Sequence, residues 1–271
     1  MIFYFSGTGN SLYAARHLAQ ATGERLVAIP KEMAERTSPK KYTLSTEERI
    51  GFVFPIHSWG PPEIVLRFIR QLHFTNYQKQ YCYFVATCGD DMGCTRQILE
   101  RALSAIGISL HAGFSLLMPN TYIALPGFDI DAPEIQKQKL ENAVPELERI
   151  EKEVCSKTSA FRLHPGGMPR LKSYLVLPLF KRFLINDKYF HTTDRCIACG
   201  KCVRICPVHN IKLEDKHPRW QGNCTACLAC YHVCPQRAIY FFAKKDKGQY
   251  LHPDLLRYGK ENYENLSLIH I

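Results

Sequence analysis

The chain has no apolar run long enough to cross a bilayer. Its most apolar late stretch, SYLVLPLFKRFLI at 173–185, is broken by Pro178, Lys181 and Arg182, whereas a spanning helix needs about 20 predominantly apolar residues. The opening residues show no basic segment followed by a long apolar one, the pattern of a secretory leader, so a cytoplasmic protein without a transmembrane segment is expected. The first loop, Ser6-Gly7-Thr8-Gly9-Asn10-Ser11, has no lysine after Gly9, which sets aside a Walker loop and nucleotide hydrolysis. Leu12 stands where a dinucleotide fingerprint needs its third glycine, and no NAD(P)-binding domain is read elsewhere. Acid is scarce: 25 Asp and Glu face 35 Lys and Arg, a formal charge of +10. Such a surplus suits nucleic acid, a membrane surface or an acidic partner, and no nucleic-acid motif accompanies it.

Cysteine, by contrast, is abundant. Eight of the twelve lie between Cys196 and Cys234; Cys82, Cys88, Cys94 and Cys155 are scattered upstream. A cytoplasmic chain does not store cysteines as disulfides, so a dense array reads as metal ligation. Cys196, Cys199, Cys202 and Cys206 follow C-x2-C-x2-C-x3-C with Pro207 next, and Cys224, Cys227, Cys230 and Cys234 repeat it with Pro235 next. Three thiolates at this spacing hold three corners of a cubane, and the fourth reaches the neighbouring cluster. Cys196, Cys199, Cys202 and Cys234 are therefore assigned to one [4Fe–4S] cluster, and Cys224, Cys227, Cys230 and Cys206 to the other. A zinc ribbon uses two separated C-x2-C pairs, which is not this pattern. The region resembles the bacterial two-cluster ferredoxin over its whole length.

From 1 to about 155, apolar runs alternate with helical patterns. Strands are expected at Met1–Phe5, Arg25–Ile29, Ile50–Pro55, Tyr81–Thr87 and Leu110–Met118, with helices near 10–21, 62–73, 93–106 and 132–155. Nearly all-apolar strands separated by helices indicate a parallel sheet buried on both faces, so the fold class is α/β, a doubly wound five-stranded sheet. Residues 156–190, with Pro165, Gly166, Gly167 and Pro169 followed by a basic, partly helical segment, read as a linker that docks on one or both domains. A small α+β ferredoxin domain is expected at 191–243 and a polar tail at 244–271, whose last six residues, LSLIHI, read like a translated sequencing-adapter end. Cys82 and Cys155 are expected to be buried packing residues.

The remaining reading of the first loop is the phosphate loop of flavodoxins, in which hydroxyls and unpaired N–H groups at a helix start hold the phosphate of FMN without a cation. The loop after the third strand is PIHSWGPPE and that after the fourth is TCGDDMG. Both resemble the flavin-gripping loops of flavodoxins, which lie at the carboxyl ends of strands. The resemblance implies FMN bound by Ser6, Gly7, Thr8, Gly9, Asn10 and Ser11, by Pro55, His57, Trp59 and Gly60, and by Thr87, Cys88, Gly89 and Asp90. Trp59 would stack on the flavin ring, and the Gly60 carbonyl would turn toward its N5. Pro61 departs from the pattern, because it has no N–H to offer N5 of the oxidised ring; a relatively stabilised neutral semiquinone is implied. The fourth-strand loop lacks the usual aromatic cover, leaving that face to Met92, to Tyr122 or to a partner or substrate.

The combination resembles the fused flavodoxin–ferredoxin proteins of anaerobic bacteria catalogued as EFR1-family ferredoxins. It implies an electron carrier that relays electrons between FMN, two [4Fe–4S] clusters and partner redox proteins. The alternatives are a flavin-dependent reductase of a quinone or nitro compound, and a zinc- or cluster-stabilised scaffold without flavin. With both clusters and FMN bound, about −2 each, the net charge falls to roughly +4. The basic residues Lys172, Lys181, Arg182, Lys188, Arg195, Lys201 and Arg204 then suit a partner with an acidic surface.

Overall fold

A computed structural model describes residues 1–35, 38–124, 127–183, 185–242 and 246–255; the LSLIHI ending lies outside the described residues. The N-terminal part contains strands β1 (Ile2–Tyr4), β2 (Leu26–Ala28), β3 (Lys40–Tyr42), β4 (Ile50–Pro55), β5 (Leu72–Phe74), β6 (Cys82–Cys88), β7 (Ala112–Leu117) and β8 (Phe161–Arg162). Between them run helices α1 (Asn10–Thr22), α2 (Ile29–Ala34), α3 (Glu63–Gln71), α4 (Thr95–Ser104) and α5 (Pro133–Cys155). The main sheet is parallel throughout, in the order β2-β1-β4-β6-β7-β8. Its five principal strands have the 2-1-3-4-5 order of flavodoxin-like folds. The short strand β8 adds a sixth at the edge, from within the segment read as linker, and β3 pairs with β5 in a separate two-stranded ribbon.

Alternation along the strands explains the three layers. In β1 and just beyond it, Ile2 and Tyr4 enter one core while Phe3 and Phe5 enter the other, as a period of two requires. The first core packs Val53, Tyr83, Val85 and Phe114 against Ala15 and Leu18 of α1 and Leu147 and Ile150 of α5. The second packs Phe52, Phe54 and Phe84 against Val65 and Phe68 of α3 and Leu99 and Leu103 of α4. A sheet held on both faces fixes the loops at its carboxyl edge. Cys82 is buried as expected, whereas Cys155, the last residue of α5, is exposed; its neighbour Val154 takes the core position there.

After β8 the chain forms α6 (Pro169–Leu171), a π-helical turn (Lys172–Val176) and α7 (Leu177–Phe183). The cysteine-rich part follows with β9 (Phe190–Thr192), α8 (Lys201–Ile205), β10 (Ile211–Glu214), β11 (His217–Trp220), α9 (Ala229–Val233) and β12 (Ile239–Phe241). β9 pairs with β12 and β10 with β11, both antiparallel. The two parts share hydrophobic cores: Ile205 and Ala229 join the α1–α5 side of the sheet, and Ile123 and Ala124 join the core around the cysteines.

Residues 246–255 fall in the segment read as a polar tail, but they form a strap between the two parts. Gln249 Nε2 donates to the carbonyls of Tyr231 and Cys234 (2.7 and 2.8 Å), Tyr250 Oη donates to Asn10 Oδ1 (2.8 Å), and the His252 N–H donates to the Thr8 carbonyl (2.8 Å). His232 of α9 completes the seam. Its Nε2 meets the Thr121 carbonyl at 2.8 Å, and its Nδ1 accepts from the Tyr250 N–H.

Burial pushes the pKa of His232 and of His252 down to about 4, so both are neutral in the folded chain. The unfolded chain protonates them near 6.5, so between about pH 6.5 and 4 it binds more protons than the folded chain, and stability is lost as pH falls through that window. The expected result is a melting temperature that declines from pH 7 to pH 5, with a shallower decline in His252→Asn. Equal slopes for the two proteins would contradict this account of the seam.

Candidate functional site

The loops that follow β1, β4 and β6 meet at one edge of the sheet. In the first, Gly9 takes a left-handed conformation (φ 103°) as α1 begins, and no side chain caps the helix. Ser6, Thr8, Asn10 and Ser11 are buried. Their side chains have partners: Ser11 Oγ meets Thr87 Oγ1 at 2.7 Å, Asn10 Nδ2 donates to the Pro119 carbonyl, and Ser6 Oγ accepts from the Gly9 N–H. The backbone N–H groups of Gly7, Thr8, Asn10 and Ser11 meet no acceptor among the described residues. Unpaired amides at a helix start, with no acidic residue in its first turn, fit an anionic group.

The second loop is strained. Ser58 and Trp59 both have positive φ, 47° and 63°, a conformation that costs non-glycine residues roughly 1–3 kcal/mol and clusters at functional sites. The His57 N–H donates to the Gly60 carbonyl at 3.0 Å, so one of that oxygen's two acceptor positions is taken within the turn. Burial, with Lys181 nearby, lowers the His57 pKa to about 4, which makes this imidazole a poor proton carrier at neutral pH.

A cavity of about 510 Å³ opens beside these loops, lined by Trp59, Cys88, Gly89, Asp90, Asp91, Asn120, Tyr122 and Phe128, with Val176, Leu179, Phe180 and Phe183 on its outer side. Tyr122 lines this cavity and Met92 does not, being buried in the core. Among the described residues, two buried polar atoms of the lining, Asp91 Oδ1 and Tyr122 Oη, meet no partner. An apolar cavity with a few unpaired polar atoms fits a flat heteroaromatic ring better than it fits solvent. Burial first, then Asp91 and Asp90, pushes the Cys88 thiol up to about 12, so it is no nucleophile. The buried carboxylate of the loop is Asp91, whereas the Asp90 side chain is largely exposed.

The segment before the cysteines clamps the loops that follow β4 and β6. Ser173 Oγ donates to the Trp59 carbonyl and accepts from the Cys94 N–H, both at 2.7 Å. Lys172 Nζ pairs with Asp91 at 2.6 Å and lies 5.2 Å from the centre of the Trp59 ring. Sequence reasoning missed this clamp and the roles of Asp91, Asn120 and Phe128. The segment falls within the linker expected to dock on one or both domains, but its apolar run at 173–185 was weighed only as a membrane span, so the loops it would hold were not named.

The structure brings Cys202 close to Cys234, Cys199 and Cys196, and brings Cys206 close to Cys224, Cys227 and Cys230. As free thiols, Cys202 and Cys224 are pushed up to about 12 and Cys227 to about 11, by burial first and by one another. A buried set of this kind becomes thiolate only when cations share it, which suits iron. Backbone N–H groups already point at the sulfurs: Asn210 to Cys206, Ala226 to Cys224 and Ala238 to Cys234, each 3.3 Å. No three His, Cys, Asp or Glu side chains converge on a single-ion site among the described residues.

The Cys206/224/227/230 group faces the sheet edge. A Cβ on Gly7 would lie 2.8 Å from the Cys227 carbonyl oxygen and 2.9 Å from the Cys227 Cβ, so the first loop and the cysteine loop touch at backbone distance. The other group faces outward, with Cys199 exposed and Ile197 61% exposed.

Residues 195–239 match the family described as a 4Fe-4S dicluster domain. The chain joins a flavodoxin-like domain to an iron–sulfur ferredoxin domain. Its redox role as an electron-transfer protein follows from that iron–sulfur domain. No curated protein matches it. Among solved structures it is similar to a candidate flavoprotein from Bacteroides uniformis (20% identity, TM-score 0.34, 52% of this chain and 96% of that one). It is also similar to the Trp repressor binding protein of Bacillus subtilis (16%, 0.35, 55% and 96%) and to rubredoxin oxygen:oxidoreductase of Desulfovibrio gigas (16%, 0.31, 58% and 36%). The fold assignment rests on the strand order rather than on these distant likenesses.

Gly93 (φ 56°) lets the clamp close, because a Cβ there would meet Ser173 Oγ and lie 2.8 Å from Trp59 Cβ. Gly93→Ala is expected to destabilise the chain by about 2–4 kcal/mol from strain and displacement, and Ser173→Ala by about 1–3 kcal/mol from the unpaired Cys94 N–H and Trp59 carbonyl. Urea unfolding checks both; wild-type stability in the two variants would contradict the clamp.

Proposed function

We propose that the chain is an electron carrier that binds FMN and two [4Fe–4S] clusters and exchanges electrons with separate redox proteins. The observation that carries this reading is the contact of Gly7 with Cys227, which sets a phosphate-type loop directly against a cluster-type loop. When bound, FMN would convert between paired and single electrons and the clusters would carry electrons singly.

The chain's own residues have defined tasks in this reading. The free N–H groups of Gly7, Thr8, Asn10 and Ser11 hold the phosphate. Trp59 and Tyr122 wall the ring, and Asp91 Oδ1 and Tyr122 Oη meet its polar atoms. Lys172 neutralises Asp91 from the far side, and the apolar residues of the clamp exclude water. Cys206, Cys224, Cys227 and Cys230 hold the inner cluster against the flavodoxin-like domain, and Cys196, Cys199, Cys202 and Cys234 hold the outer one.

Around the outer group, the Arg204 guanidinium donates to the Cys199 carbonyl (3.1 Å), and Ile197 is exposed. A cation beside an exposed apolar residue suits a partner with an acidic surface. An electron carrier needs such an exposed port at one cofactor and a sealed contact between the others.

Anaerobic purification with flavin and metal analysis tests the reading. About eight irons and one FMN per chain are expected, and Trp59→Ala should lose flavin while keeping its iron. Iron without flavin in the native chain, or zinc in place of iron, would overturn it.

A further inference from the structure

The helical stretch that ends at Phe183 has two opposed faces. Ser173, Leu177 and Phe180 are buried against the loops that follow β4 and β6, whereas Met168, Leu171, Leu175, Leu179 and Phe183 follow one another at steps of three and four along the other side. Met168 is 70% exposed, Leu175 55% and Phe183 54%. Tyr174 and Val176 widen the stripe, so seven of the thirteen large exposed apolar residues in the described chain lie within these sixteen positions. A helix on a soluble domain places polar residues on its outer face, and a contiguous apolar patch marks an interaction surface.

Charge says what covers it. No acidic residue occurs anywhere from 164 to 186. Arg170 and Arg182 stand at the two ends of the stripe, and neither pairs with a carboxylate among the described residues; the Arg182 guanidinium lies over the Phe183 ring, 5.6 Å from its centre. Lys172 and Lys181 point inward to Asp91 and Glu63. An aliphatic stripe bracketed by free arginines and empty of acid is what an interfacial helix needs at an anionic membrane surface. Tyr174 beside the stripe fits the same surface, because tyrosine is enriched where a membrane meets water. No helix among the described residues is long and apolar enough to cross a membrane, so the stripe would lie on the bilayer.

We propose that the outer face of residues 168–183 docks on an anionic bilayer. Leu179 and Phe183 belong to both the stripe and the cavity wall, so docking sets the cavity rim against lipid. The docking does not depend on which cofactor the cavity holds.

The test is co-sedimentation of the full, iron-loaded chain with vesicles of phosphatidylglycerol and phosphatidylcholine, compared with phosphatidylcholine alone. Binding to the anionic vesicles is expected to exceed binding to the neutral ones by at least tenfold and to weaken in high salt. Leu171→Glu with Leu175→Glu should lower it at least tenfold. Arg170→Gln with Arg182→Gln, which keeps every apolar residue of the stripe, should lower it roughly 10- to 30-fold and carries the test if the first variant loses its iron. Absence of binding to anionic vesicles overturns the proposal, as does binding that neither variant changes. A dimer in sedimentation equilibrium that Leu171→Glu with Leu175→Glu dissolves, without vesicle binding, would assign the stripe to a second copy of the chain.

Discussion

A backbone contact between Gly7 and Cys227 sets the geometry on which the rest of the molecule depends. With hydrogen as its side chain, residue 7 lets the loop after β1 lie directly on the loop that carries three of the inner cysteines. A Cβ at residue 7 would lie 2.8 Å from the Cys227 carbonyl oxygen and 2.9 Å from its Cβ, too close for ordinary contact, so the two loops would have to separate. Because the sheet is packed on both faces, the loop after β1 cannot yield, so the cysteine-rich domain would have to move. One absent Cβ thus couples the position of the ferredoxin domain to the position of the sheet edge.

Polar contacts then fix the orientation that this contact permits. Apolar burial is non-directional and would tolerate sliding between the domains. The strap is directional: Tyr250 to Asn10, His252 to Thr8, and His232 to both Thr121 and Tyr250. Each of these bonds contributes only about 1 kcal/mol net, but leaving a buried partner unsatisfied costs more. The seam therefore has one good register and several poor ones. On the other side of the sheet edge, Ser173 and Lys172 do the same for the strained Ser58-Trp59 turn.

What could be read from the sequence follows from how each element is held. Strands such as Ile50–Pro55 are apolar on both faces and announce themselves, and their order emerged as the doubly wound fold implies. The cysteine array is legible because the shape of a metal cluster dictates its spacing. The strap is not legible, since Gln249, Tyr250 and His252 act through hydrogen bonds that leave no periodicity in the sequence. Strand β8, two residues beside a Pro- and Gly-rich stretch, is too short to show a pattern. The clamp was hidden for the opposite reason: its outward face is as apolar as its inward one, so the contrast that marks an amphipathic helix is missing. Asp90 and Asp91 are adjacent and chemically identical, and only the fold reveals that Asp91 is the buried one.

The central claim is that a cofactor phosphate sits in the first loop, against the inner cluster. Phosphorus NMR of the fully loaded chain tests it most directly. Reduction makes a [4Fe–4S] cluster strongly paramagnetic, so the phosphate resonance of FMN is predicted to broaden severely or vanish on cluster reduction and to return on reoxidation. A sharp phosphate resonance that does not respond to cluster reduction would contradict the account.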